Sequence, residues 1–246
     1  MSEDLVNVIS RYKGSHDILG VIHGDYIVYD KSSEEPIKGA IRIPNYGYNL
    51  YSYLLYIIEN YENLPKNVFL LKNNIFPRHM SRKEFQNLYS KKKKFFFSEK
   101  HIKTDGFFSF IDCDGNFNEI NNSWFSVCKR HKYFGNFDSF AKYFIVDYKK
   151  VDYVKFSPGG NYFLKKDEIL SNSIDFYKKI LDVISYKENA IESYYVERAF
   201  GMFMDKKIQT RVDFNEEPTK LTFFKMFVLC LRHAFKKLSY SLSKVC

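Results

Sequence analysis

The chain has 246 residues, enough for one large α/β domain or two small ones. Its 45% hydrophobic content supports a sizeable core and excludes wholesale disorder. The net charge of +9 does not mark a nucleic-acid surface, because six Lys/Arg and no acid fall between Thr219 and Cys246 and the rest is only mildly basic.

Taken in chain order, "DLVNVISRY" (4–12) and "DYIVYD" (25–30) predict two strands. "KGSHDILGVIHG" between them has room for a short helix or turn. "LYSYLLYIIENY" (50–61) predicts a helix, with Leu50, Tyr53/Leu54 and Ile57/Ile58 at three- and four-residue spacing. Pro44, Asn45 and Gly47 suit a loop or cap before it, and "NVFLL" (67–71) is a short buried strand. Strand, strand, helix, strand points to an α/β fold with a mostly parallel mixed sheet. Within 78–97 a short helix is expected from Ser81, and Lys91–Lys94 is a solvated face, a mobile loop or a phosphate or lipid contact. "SFAKYFIVDY" is open between helix and strand. Further on, "SPGG" makes a loop, "NYFL" a strand, and "SNSIDFYKKILDVI" (171–184) and "NAIESYYVERAFGMFM" (189–204) two helices.

Residues 1–212 are therefore expected to form one α/β domain, and 213–246 a basic amphipathic tail. In the tail, apolar residues at 221, 224, 228, 231, 235, 238 and 242 keep helical spacing. Its uncharged stretch is far short of the ~20 apolar residues that span a bilayer. The tail reads either as a helix lying on an anionic membrane or as one packed on the domain or a partner. The opening "MSEDLVNVIS" lacks the pattern of a secretory leader. Cys113, Cys128, Cys230 and Cys246 form no C-x-x-C pair, so free thiols in a cytoplasmic setting are expected, at the inner face of the membrane if the tail binds there.

"FFSFIDCDGNF" (107–117) reads in two ways. Asp112 and Asp114 are the candidate ligands of Mn²⁺ or Mg²⁺, which prefer oxygen donors. Asp-Gly between "FSFID" and "FNEI" is equally a hairpin turn. Glu197 is the candidate general base, with Glu192 as runner-up, against the alternative of surface carboxylates paired with Lys or Arg. Arg198 could grip a phosphate bidentately, and Gly159 and Gly160 would let backbone approach a ligand or simply form a turn. Arg11 and Asn45, and more weakly Asp30 and Lys31, sit near the carboxyl ends of strands, where α/β sheets bind ligands. The six histidines show no cluster and are expected to be structural or exposed. No P-loop, dinucleotide fingerprint or nucleophile elbow occurs, so the ATPase, dinucleotide-enzyme and serine-hydrolase readings lack a motif.

"RIPNYGYNLYSYLLYIIENYENLPKNVFLL" resembles the hallmark of an uncharacterised domain family of bacteria and fungi: Pro-Asn-x-Gly, Tyr-Leu, Ile-Ile-x-Asn-Tyr, then a Phe-Leu strand. "PGGNYFLKKDEILSNSIDFYKKIL" and "ESYYVERAFGMFM" resemble its second half. The chain departs from that pattern at Tyr48 and Asn49, where the family usually has Arg-Glu, and at Lys13-Gly14-Ser15, where it often has Asn-Glu-Asp. The order of parts is also similar to single-domain nucleotide-sugar glycosyltransferases of the GT-A type. That resemblance implies a Rossmann-related domain, a metal-held nucleotide-sugar donor and a glycan or lipid-linked acceptor. Under it, Arg11, Asp30, Lys31, Asn45 and Arg198 serve the donor and Gly159–Gly160 the acceptor side. The alternative is a non-catalytic binding or scaffold module of the same fold, and neither reading involves nucleic acid.

Overall fold

The computed structural model describes residues 4–14, 17–35, 37–77, 79–97, 109–112, 115–121 and 132–204. Asp114, the four cysteines and the tail at 213–246 lie outside these residues.

The strands are β1 (Leu5–Arg11), β2 (Asp25–Asp30), β3 (Ile41–Arg42), β4 (Asn67–Lys72), β5 (Ser109–Ile111), β6 (Phe117–Ile120), β7 (Tyr153–Lys155) and β8 (Tyr162–Lys165). The helices are α1 (Tyr48–Glu59), α2 (Arg82–Ser90), α3 (Phe137–Phe144), α4 (Lys166–Leu170), α5 (Ile174–Ile184) and α6 (Ser193–Met204). The main sheet runs β3-β2-β1-β4-β8, parallel except for β8, which pairs antiparallel with β4. The expected α/β fold with a mostly parallel mixed sheet is therefore present. A second, antiparallel sheet runs β5-β6-β7.

The main sheet is covered on both faces, which is why its central strands read as continuous apolar runs rather than alternating ones. Successive side chains point to opposite sides. Val8, Val68, Leu70 and Leu164 join the core formed with α1, α3, α5 and α6. Ile9, Phe69, Leu71 and Phe163 join the core formed with the 3-10 turn Asp17–Gly20 and α2. There Phe69 stacks on Tyr89 with ring centroids 4.2 Å apart.

The helix starts follow local chemistry. Ser81 caps α2 and exchanges hydrogen bonds with Glu84, and Asn136 does the same for α3 with Ser139. Ser173 caps α5. α1 has no side-chain cap: Gly47 (φ 52°) and Tyr48 (φ 52°) turn the chain in the left-handed region. Among the described residues, no helix is long and apolar enough to cross a membrane.

Candidate functional site

Topology puts a crevice at the carboxyl end of the parallel strands. From β1 the chain proceeds through β2 to β3 on one side and then returns to place β4 on the other. The loops leaving β1 and β4 diverge at this switch point, where open α/β sheets bind their ligands. A cavity of about 500 Å³ lies there. Ser10, Lys31 and Lys72, at the ends of β1, β2 and β4, line it together with Asn45, Tyr48, Asn49, His79, Gly159, Ser193, Tyr194 and Glu197. A volume of this size suits a small-molecule ligand. A second cavity, of about 580 Å³, adjoins Leu5 and α2 at the opposite end of the sheet, away from the switch point.

Each wall has a structural cause. Asn161 Oδ1 accepts the Lys72 backbone N–H at 2.9 Å, which joins β4 to the approach to β8. Asn49 Nδ2, in the first turn of α1, donates to the carbonyls of Gly159 (3.0 Å) and Gly160 (3.2 Å). Both glycines have positive φ, and a Cβ on Gly160 would sit 2.6 Å from Asn49 Nδ2. The loop therefore packs against α1 only because it carries no side chain there. The Tyr48 and Tyr194 hydroxyls meet at 3.1 Å across the mouth.

Glu197 projects from α6 with its side chain 19% exposed. Its Oε1 accepts the Gly159 N–H at 2.9 Å, and Oε2 lies 3.8 Å from Arg198 Nη1. Burial pushes its carboxyl above the ordinary range, against the opposing pull of Arg198, Lys72 and the Gly159 amide. Lys31 is 8% exposed and its Nζ donates to the Tyr48 carbonyl. Burial pushes its amine down to about 7. Lys72 Nζ lies 2.6 Å from His79 Nε2.

Of the residues singled out in the sequence, Lys31, Asn45, Gly159 and Glu197 meet in this cleft. The others have different surroundings. Arg11 Nη1 donates to Asp30 Oδ2 (2.7 Å) and Ser32 Oγ (2.5 Å), and Nη2 to Glu34 (2.7 Å), so Arg11 and Asp30 tie the ends of β1 and β2 to each other instead of lining the cavity. Burial raises the Asp30 carboxyl, but hydrogen bonds from Ser32 and Arg11 outweigh it and hold the group below its usual range. Arg198 Nε donates to Glu119 Oε2 at 2.6 Å, both side chains being buried, which fastens α6 to β6. Glu192 accepts from the Lys132 and Tyr133 amides and the Tyr186 hydroxyl. Burial raises its carboxyl, and these hydrogen bonds more than reverse the effect.

Asp112 sits in the β5–β6 hairpin, the second of the two readings of that stretch. Its carbonyl accepts the Gly115 N–H, and its carboxylate accepts the Asn116 amide at 2.8 Å and meets Lys155 Nζ at 2.8 Å. Burial pushes this carboxyl up, but Lys155, Asn116 and Asn118 together keep it below the ordinary range. It is not among the residues lining the cleft. Among the described residues, no three His, Cys, Asp or Glu side chains gather as a metal site requires. The Asp112 oxygens are engaged by Lys155 and the turn, and Asp114, its partner in the metal reading, lies outside the described residues.

Sequence reasoning passed over Ser10, Lys72, His79 and Ser193. Ser10 and Lys72 were within reach of the strand-end rule applied to Arg11, since "LVNVIS" and "NVFLLK" place both at carboxyl ends. Nothing local signals His79, which reaches the cleft through the loop after β4.

The fold is thus α/β, with a polar cleft at the switch point of a mostly parallel sheet. No protein-family model, curated protein or solved structure matches the chain.

Proposed function

We propose that the chain is a glycosyltransferase of the nucleotide-sugar type acting in this cleft. One observation carries the reading: a raised, partly exposed carboxylate, Glu197, shares a single cavity at the switch point with Lys31 and Lys72. The ammonium groups suit a phosphorylated donor, and the carboxylate suits proton abstraction. The motif resemblance to the uncharacterised bacterial and fungal family, and through it to GT-A enzymes, supports the same reading.

In the proposed step, Glu197 takes the proton of an acceptor hydroxyl as that oxygen bonds to the anomeric carbon. The bond from that carbon to the diphosphate oxygen breaks, and its electron pair leaves with the nucleoside diphosphate. Turnover is read as nucleoside diphosphate released from a panel of nucleotide sugars with glycan and lipid-linked acceptors. Glu197→Gln is expected to lower turnover by about 10²–10⁴-fold while leaving donor affinity within a few-fold by calorimetry. Undiminished turnover in that variant would reject Glu197 as the base, and no binding of any donor by the folded protein would reject the enzyme.

A non-catalytic binding module is the second reading. It is favoured by the commitment of Arg11 and Arg198, the two arginines that a donor site would use, to buried ion pairs. We further propose that 219–246 holds the protein on anionic membranes. Vesicles containing phosphatidylserine are expected to float the full chain and not one ending at 218; equal flotation of both would refute the anchor.

A further inference from the structure

Reading the cleft as a nucleotide-sugar site raises the question of what neutralises the leaving diphosphate. GT-A resemblance implies a divalent cation held by the acidic pair. Among the described residues that site is not supplied: Asp112 is bonded to Lys155 and to its own hairpin and is not among the residues lining the cleft, and Asp114 lies outside the described residues. A hard cation takes about six oxygen ligands, whereas among the described residues lining the cleft there is one carboxylate, Glu197, which already accepts the Gly159 amide.

The cations of the cleft are its own side chains. Lys31 and Lys72 reach it from the ends of β2 and β4, on either side of β1, and His79 stands beside Lys72. Among the described residues, no carboxylate lies within ion-pair distance of Lys31, whose Nζ meets only the Tyr48 carbonyl. The amino end of α6 opens on the same space, with the favourable end of its dipole toward an anion. Ser193, the first residue of α6, is 1% exposed, lines the cleft, and its Oγ has no hydrogen-bond partner. A buried hydroxyl without a partner costs stability, and a ligand oxygen in the cleft would satisfy it.

We propose that the cleft binds a diphosphate group directly, through the ammonium groups of Lys31 and Lys72 and the hydroxyl of Ser193, with no divalent cation between protein and ligand. This rests on the transferase reading only for the identity of the sugar-bearing ligand. The shared chemistry is the diphosphate, which a nucleoside diphosphate or inorganic pyrophosphate could bring.

The test is calorimetry of the full chain with sodium pyrophosphate and, separately, with uridine and guanosine diphosphates, each in EDTA and in Mg²⁺. Saturable binding is expected in EDTA, weakened about 10- to 100-fold by Lys31→Met or Lys72→Met, and changed less than threefold by Asp112→Asn. Lys72→Arg, which keeps the charge, is expected to retain most of the affinity. This guards against a loss that reflects folding alone, as does a thermal melt of each variant. Tighter binding of a nucleoside diphosphate than of pyrophosphate assigns the site to a nucleotide, and the reverse assigns it to the free anion. Binding that requires Mg²⁺, or binding in EDTA that neither lysine substitution weakens, would overturn the proposal. Metal-free binding without sugar transfer would sink the transferase and leave this site standing. Transfer that demands a metal would do the opposite.

Discussion

Arg11→Met is expected to destabilise the protein by about 3–5 kcal/mol, the usual result of removing one partner of a buried, hydrogen-bonded ion pair. Arg11 and Asp30 are 3% and 0% exposed, and their contact at 2.7 Å joins the two parallel strands at the end that carries the cleft. Without the Arg11 guanidinium, Asp30 keeps its Ser32 hydrogen bonds and the more distant Arg42 Nη1 at 3.8 Å but loses its closest, hydrogen-bonded compensating charge. Urea denaturation followed by circular dichroism measures the change, and a loss below 1 kcal/mol would show that the pair contributes little. The acid limb follows from the same group. The Asp30 carboxyl is held below its ordinary value, so its contribution is present above the unfolded-state value and is lost as pH falls through the folded-state value. The variant should therefore show a shallower loss of stability on acidification than the native chain.

Lys31→Met is expected to act in the opposite direction, stabilising the fold by about 2–4 kcal/mol at pH 6. The folded amine is pushed down to about 7 by burial, while the unfolded side chain keeps its ordinary value near 10.5. Between those values the unfolded state binds the extra proton, so native stability rises with pH across the window and the full penalty applies below it. Methionine fills similar space and carries no charge, so the gain over the native chain should be largest below pH 7 and fade toward pH 10.5. Denaturation at pH 6 and pH 9 tests this, and a variant less stable than the native chain at pH 6 would refute it. The same substitution is expected to cost the cleft its anion affinity. A destabilising lysine kept in a cleft is the trade of stability for function seen at many binding sites.

Much of the secondary structure was legible because it is local. "DYIVYD" forms β2 over the residues expected, and the helix after Ser81 begins at its capping box. α1 runs from 48 rather than 50, because a left-handed Gly47–Tyr48 turn starts it in place of a polar cap. The segment left open at "SFAKYFIVDY" is helical from Phe137 to Phe144, with the Asn136–Ser139 exchange at its start. Aromatic-rich runs are ambiguous by composition, and here the caps and the burial of Phe137, Phe140 and Ala141 decide.

The sequence alone determined most of the strands and helices of the main sheet and its covering layers, and that the sheet would be mostly parallel. Only the tertiary structure decided which charges face one another. Arg11 meets Asp30 because β1 and β2 pair in parallel with those two residues in register. Arg198 meets Glu119, and Asp112 meets Lys155, through partners distant in sequence. Lys72 joins Lys31 because β2 and β4 flank β1. Periodicity along a chain reports which face of an element is apolar. Whether a charge ends in an ion pair or at a cleft depends on which strands become neighbours, and long-range packing settles that.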